Sequence, residues 1–150
     1  MSFLGKVKKK LRNGSWYPFY NTFYEKNNLD PHMILLESRS GKALESNILS
    51  LLKELCQEPY RSFTLVLSVH RDSENEIKEK LQKNSIQGVH FVRTGSVAYY
   101  RALSRAGYLV NDTSFPGRFI KKEGQIYLNT WHGTPLKKMG RDNRPEMVTM

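Results

Sequence analysis

The chain has 150 residues, which is the size of one domain and is long enough to bury an apolar core. Its hydrophobic fraction of 39% and charged fraction of 25% exclude a disordered chain, and no apolar run reaches the roughly 20 residues of a membrane-spanning helix. The formal net charge of +10 predicts an anionic partner, which by charge alone could be nucleic acid, anionic lipid or a phosphorylated substrate.

The cysteine and histidine content limits the chemistry further. Cys56 is the single cysteine, so the chain has no internal disulfide, as is usual for proteins of a reducing compartment. The first residues lack the apolar segment and cleavage site of a secretory signal, and we expect the protein to stay in the cytoplasm. The four histidines show no metal-ligand spacing, so we expect no metal and no cofactor.

Residues 1–30 form a basic and aromatic segment that differs from the rest of the chain. Apolar and aromatic residues recur at helical spacing on either side of the break at Asn13 and Gly14, which predicts two short amphipathic helices. Such helices suit a membrane interface, while packing on the domain and nucleic-acid binding are the alternatives. The predicted membrane-binding side chains are Lys6, Lys8, Lys9, Lys10, Arg12 and Trp16.

Residues 31–142 alternate between strand and helix patterns, and residues 143–150 form a polar tail. Strands are predicted at 33–37, 63–69, 89–92, 108–111 and 125–131, and helices at 43–56, 73–84 and 96–106. Ser73 and Glu76 have the spacing of a capping box, and Gly107 is predicted to end the third helix. This alternation predicts an α/β fold, a Rossmann-like parallel sheet covered on both faces.

Three loops follow strands of this predicted sheet and are rich in small, polar or basic residues. They span residues 38–47, 111–118 and 132–138. Sites in open parallel sheets lie at the carboxyl ends of the strands, so we expect the three loops to converge on one edge. His70 ends the second strand and could line the same edge.

His132 is the candidate for chemistry at that edge. Gly133 allows close backbone approach, while Thr134 could cap a helix that Pro135 opens. A helix starting there would direct free N–H groups at an anion, and His132 beside it could act as a general base. The alternative is a histidine in an ordinary capped turn. Arg39 and Lys42, in the first loop, are likewise either functional or solvated.

Two segments of the sequence resemble the CDP-glycerol glycerophosphotransferases, the teichoic acid primases and polymerases of Gram-positive bacteria. The block "YLVNDTSFPGRFIKKEGQIYLNTWHGTP" and its continuation "LKKMG" resemble the family signature around His132. The stretch "ILLESRSGKALESN" is similar to the first strand of the family and its Gly-Lys loop. The resemblance covers roughly residues 1–142, and the Trp-His-Gly-Thr-Pro block is its specific part.

The resemblance implies the N-terminal half of a glycosyltransferase-B-like enzyme, in which two Rossmann-like halves flank a cleft. His132 would be the catalytic base that deprotonates a polyol-phosphate or lipid-linked acceptor for attack on CDP-glycerol or CDP-ribitol. The implied substrate-binding residues are Gly41, Lys42, Asn47, Asn111, Gly133 and Thr134.

The same resemblance implies a peripheral location on the cytoplasmic face of the plasma membrane, without nucleic acid as a partner. The half of the family that binds the nucleotide has no counterpart in this sequence, so we expect the chain to be incomplete as a catalyst alone. A non-catalytic membrane- or polymer-binding module is the alternative.

Overall fold

The computed structural model describes residues 23–116 and 119–131, and all statements about structure concern these ranges. Five strands and three α-helices alternate along them. In chain order they are β1 Asp30–Glu37, α1 Ser46–Leu55, β2 Thr64–Val69, α2 Glu74–Lys83, β3 Val89–Arg93, α3 Val97–Arg105, β4 Ala106–Asn111 and β5 Ile126–Asn129. Short 3-10 turns lie at Arg39–Gly41, Glu58–Tyr60 and Arg71–Ser73.

The strands form one parallel sheet with the order β3-β2-β1-β4-β5. The chain runs outward from β1 through β2 to β3, then returns to the other side of β1 with β4. The order therefore reverses between β1 and β4, which is the place where open α/β sheets bind their ligands. The predicted fold class, a Rossmann-like parallel sheet, is confirmed.

The sheet is covered on both faces, because alternate side chains of a strand point to opposite sides. Ile34 and Leu36 of β1 pack in an apolar cluster with α1 and α2. Leu35, between them, packs in a second cluster with α3 and Phe115. Leu35 and Leu36 have no exposed surface. A central strand that is buried on both faces explains why residues 33–36 of β1 are a continuous apolar run.

Two predicted helix starts differ from the structure. The first helix begins at Ser46 rather than at residue 43, because Glu45 is extended and its N–H donates to Ser38 Oγ at 3.3 Å. The predicted cap at Ser73 makes no capping hydrogen bond. Ser73 ends a 3-10 turn with φ −110° and ψ 2°, whereas a capping residue needs an extended backbone.

Gly107 does not end the third helix, as the sequence pattern predicted. The helix α3 stops at Arg105, and Gly107 is the second residue of β4. A Cβ atom at Gly107 would lie 2.8 Å from the carbonyl oxygen of Asp30 and 3.0 Å from Cα of Pro31. The glycine is therefore required by the close approach of β4 to β1, not by a helix terminus.

The fifth strand is shorter than the predicted range 125–131. Gln125 precedes it, is 3% exposed, and donates from Nε2 to the carbonyl oxygens of Leu103 at 3.0 Å and Ala106 at 2.7 Å. These bonds tie the start of β5 to the junction of α3 and β4. At the other end, Trp131 has a left-handed backbone with φ 50°, which ends the extended conformation.

The predicted membrane-binding segment lies mostly outside the described residues, including Lys6, Lys8, Lys9, Lys10, Arg12 and Trp16. Within residues 23–30, a helical turn occupies 23–26, and Asn27 Nδ2 donates to Ser104 Oγ at 2.9 Å. No helix in the described part of the chain is long and apolar enough to cross a membrane.

Candidate functional site

The loops that follow β1 and β4 are joined directly at the carboxyl edge of the sheet. Ser38 Oγ donates to Asp112 Oδ2 at 2.8 Å, and the backbone N–H of Arg39 donates to Asp112 Oδ1 at 2.8 Å. Ser38 and Asp112 are each 1% exposed, so the two bonds are shielded from water. Both oxygens of the Asp112 carboxylate thus fix the start of the first loop at the switch point.

Gly41 packs the first loop against the exits of β2 and β3. Its φ is +78°, and its carbonyl oxygen accepts the backbone N–H of His70 at 2.6 Å. A Cβ atom there would overlap Thr94 Oγ1 and lie 2.8 Å from the backbone nitrogen of His70. Gly41 is buried, whereas the next residue, Lys42, is exposed to solvent. Gly41 therefore has a structural role, and Lys42 is available to an anion.

Asn111 ends β4 in the interior of the sheet and has no exposed surface. Its Oδ1 accepts the hydroxyl of Tyr127 at 3.0 Å, and its backbone oxygen accepts the N–H of Thr130 at 2.8 Å. Asn111 Nδ2 is buried without a hydrogen-bond partner among the described residues. Asn111 thus contacts β5 through its side chain and the residue after β5 through its backbone.

Asn47 connects α1 to the last described residues of the chain. Its Nδ2 lies 3.3 Å from the carbonyl oxygen of Thr130 and 3.2 Å from that of Trp131. His132, Gly133 and Thr134 follow directly in the sequence and lie outside the described residues. The loops after β1 and β4 therefore meet at one edge, and the loop after β1 also contacts the exit of β5, directly before the third predicted loop.

Cationic and imidazole groups lie along this edge. The exposed side chain of Arg39 pairs with Glu45 at 3.5 Å, and the exposed Arg71 follows β2. His70 lies at the edge, as the sequence predicted, and its Nδ1 accepts the N–H of Asp72 at 3.4 Å. In the described part of the chain, no three histidine, cysteine or acidic side chains are grouped so that they could hold a metal ion.

A buried carboxyl group, which the sequence pattern did not predict, lies at the end of β1. Glu37 ends β1 and is 1% exposed. Burial raises the pKa of Glu37, and the negative charge of Asp112 adds to this, while hydrogen bonds with Tyr99 and Ser68 act in the opposite direction. Glu37 Oε2 has no partner among the described residues. An acidic residue at the end of an apolar run was the available signal.

The raised pKa of Glu37 predicts how the stability of the chain depends on pH. Because the folded-state pKa of Glu37 is raised, the folded chain retains a proton that the unfolded chain releases above about pH 4.5. The free energy of unfolding should therefore decrease as the pH rises from that value through the folded-state pKa. Glu37→Gln stays neutral, and we expect its stability to decrease less over this window than that of the unmodified chain.

Urea unfolding between pH 4 and 8 measures this difference. Glu79→Gln, on the exposed surface of α2, is the control and should keep the pH dependence of the unmodified chain. Parallel pH profiles for Glu37→Gln and the unmodified chain would contradict the prediction.

A comparison with protein families finds a match over most of this chain. The family model described as CDP-glycerol:poly(glycerophosphate) glycerophosphotransferase matches residues 19–150. The chain belongs to this family. The match includes all the described strands and helices together with the block around His132. The family resemblance inferred from the sequence is confirmed.

Individual family members share about three residues in ten with the chain. The teichoic acid poly(glycerol phosphate) polymerase of Staphylococcus epidermidis is 31% identical over 82% of this chain and 16% of its own length. The teichoic acid glycerol-phosphate transferase of Staphylococcus aureus is 28% identical over 91% of this chain and 33% of its own length. The chain thus spans about a third or less of these relatives.

Solved structures confirm the fold. The wall teichoic acid polymerase TagF superimposes with a TM-score of 0.69 at 26% identity, over 94% of this chain and 32% of the polymerase chain. A TagF variant soaked with CDPG superimposes with a TM-score of 0.68 at 26% identity, over 96% of this chain and 35% of the other. This chain therefore corresponds to a fragment of the polymerase fold.

Proposed function

We propose that this chain is the acceptor-side module of a CDP-glycerol or CDP-ribitol polyol-phosphate transferase that acts in teichoic acid or related cell-surface polymer synthesis. One observation carries the proposal: Asn47 of α1 hydrogen-bonds the exit of β5, so the residues directly before His132 lie at the switch point of the sheet. Family membership and the names of the relatives support the reaction class.

In the proposed reaction, His132 accepts the proton of the acceptor hydroxyl. The hydroxyl oxygen forms a bond to the β-phosphorus of the donor, and the bond from that phosphorus to the oxygen of CMP breaks. Phosphoryl transfer needs positioned donors and cations around the phosphate charge. Lys42 lies exposed at this edge, and Gly133 and Thr134 follow His132, so these three are the proposed phosphate contacts.

A rebuilt transferase tests the function. The segment of the Staphylococcus aureus transferase that aligns with this chain is replaced by the chain, and CMP release is measured with a polyol-phosphate acceptor. CDP-glycerol is the donor, because the other half of the chimera comes from a glycerol-phosphate transferase. We expect acceptor-dependent CMP release. No release, with both halves folded, would leave the binding module as the better description.

We also propose that residues 1–30 bind the cytoplasmic face of an anionic membrane. The sequence supports this with basic and aromatic residues at helical spacing. Each lysine near an anionic surface contributes roughly 1 kcal/mol, so replacing Lys8, Lys9 and Lys10 with glutamate should weaken vesicle binding by about 10²-fold or more. Sedimentation with phosphatidylglycerol vesicles at low salt measures the affinity.

The matched control is the triple variant Lys53, Lys78 and Lys83→Glu, which changes the net charge equally at exposed positions on α1 and α2. It should retain most of the binding. Equal losses in both triple variants would indicate a net-charge effect rather than an N-terminal binding segment. Binding to DNA with a steep salt dependence, without vesicle binding, would favour the nucleic-acid alternative.

A further inference from the structure

We infer that Asn47 is a positioning residue. Its side chain fixes the course of the backbone directly before His132. The inference rests on the proposed function, in which His132 is the base. It assigns Asn47 a role through the protein backbone rather than through substrate. The contact joins positions that are 83 and 84 residues apart in sequence.

The side-chain amide of Asn47 donates to the carbonyl groups that follow β5. A carboxamide has two N–H donors, and the carbonyl oxygens of Thr130 and Trp131 lie 3.3 Å and 3.2 Å from Nδ2. The Trp131 carbonyl belongs to the peptide bond that joins Trp131 to His132. Asn47 lies in the first turn of α1, an element anchored in the core by Ile48 and Leu52. Asn47 therefore ties the carbonyl group of Trp131 to a helix that is packed in the core.

The backbone N–H groups of the same two residues also have partners. The N–H of Thr130 donates to the carbonyl oxygen of Asn111 at 2.8 Å, and that of Trp131 donates to Asn129 Oδ1 at 2.9 Å. The backbone N–H and carbonyl groups of Thr130 and Trp131 are thus all hydrogen-bonded. Trp131 has φ 50°, a conformation that costs a bulky residue free energy and persists where surrounding contacts hold it.

Removing the N–H donors of Asn47 should increase the mobility of Thr130 and Trp131 without lowering the stability of the folded chain. Asn47→Asp keeps the shape, has no N–H donor, and sets a negative charge against two carbonyl oxygens. An acidic side chain in the first turn of a helix is favourable for the helix, so the Tm of the variant should stay equal or rise. A residue that serves only helix stability would not show this combination.

Nuclear magnetic resonance on the full chain measures the effect. In Asn47→Asp, we expect the backbone order parameters of Thr130 and Trp131 to fall from about 0.85 to about 0.6 or lower, and the imidazole resonances of His132 to shift. Ser50→Asp, which adds the same charge to the exposed surface of α1, is the control and should change neither. Asn47→Gln retains the donors and should restore part of the order.

Unchanged order parameters and an unchanged His132 signal in Asn47→Asp would overturn the inference. In the rebuilt transferase, Asn47→Asp should lower kcat about tenfold, leave the KM for CDP-glycerol unchanged, and cause no further loss when His132 is already alanine. If the rebuilt transferase releases no CMP, the proposed function fails. If His132→Ala retains the rate, the assignment of His132 as the base fails. If His132→Ala loses the rate and Asn47→Asp does not, only the role of Asn47 fails.

Discussion

In the rebuilt transferase, His132→Ala should lower the rate of CMP release from CDP-glycerol by about 10²-fold or more. General-base catalysis by a positioned side chain contributes about 10²- to 10⁴-fold, and alanine offers no group that accepts a proton. A neutral polyol hydroxyl is a weak nucleophile at physiological pH, so proton removal must accompany its attack on phosphorus. The donor should still bind, because the proposed function assigns nucleotide binding to the other half of the enzyme.

The pH profile distinguishes loss of a base from loss of fold. An imidazole accepts a proton only when it is neutral, so the rate of the unmodified enzyme should fall as the solution becomes acidic. His132→Ala should lack this limb of the profile. The control is His90→Ala, at an exposed position of the edge strand β3, and it should keep both rate and profile. A variant at His132 that keeps the full rate would refute the assignment of His132 as the base.

The convergence of loops on one edge was predictable from the sequence, because carboxyl ends of parallel strands must meet there. The structure shows which contacts join these loops. Asp112 accepts two hydrogen bonds from the loop after β1, and Asn47 reaches the exit of β5. Neither pairing could be derived from the sequence alone, since each joins residues more than 70 positions apart and depends on the strand order. The assignments of His132, Gly133 and Thr134 stay predictions.

Errors in the sequence analysis arose where tertiary contacts overruled a local pattern. Gly107 follows a helical pattern and was assigned to a helix end, but its conformation is set by the backbone of β1 at Asp30. Ser73 has the spacing of a cap, but it is the last residue of a 3-10 turn, and its backbone angles are not those of a cap. Glu37 was included in an apolar strand without attention to its charge. Its raised pKa follows from burial at the switch point, which periodicity does not reveal.

Gly41→Ala should be among the most destabilising single substitutions in the described part of the chain. The left-handed backbone at φ +78° costs an alanine about 1–2 kcal/mol. The added Cβ would also overlap Thr94 Oγ1 and approach the backbone of His70 and Val69 to 3.0 Å or less, and such overpacking costs about 1–3 kcal/mol. The sum of about 2–5 kcal/mol should lower the Tm by roughly 5–15 °C in scanning calorimetry.

Gly95→Ala separates the two causes of destabilisation, because it has the cost of the left-handed backbone without the steric overlap. Gly95 has φ +75°, and a Cβ atom there would have no neighbour within 4 Å. Its substitution should therefore cost only the conformational part, about 1–2 kcal/mol. The difference between the variants measures how tightly the loop after β1 packs on the exits of β2 and β3. Equal losses would mean that this packing yields easily, and that Gly41 is needed for its backbone angles alone. A larger loss at Gly41 would instead show that the loop carrying Lys42 is held in place by contacts that leave no room for a side chain.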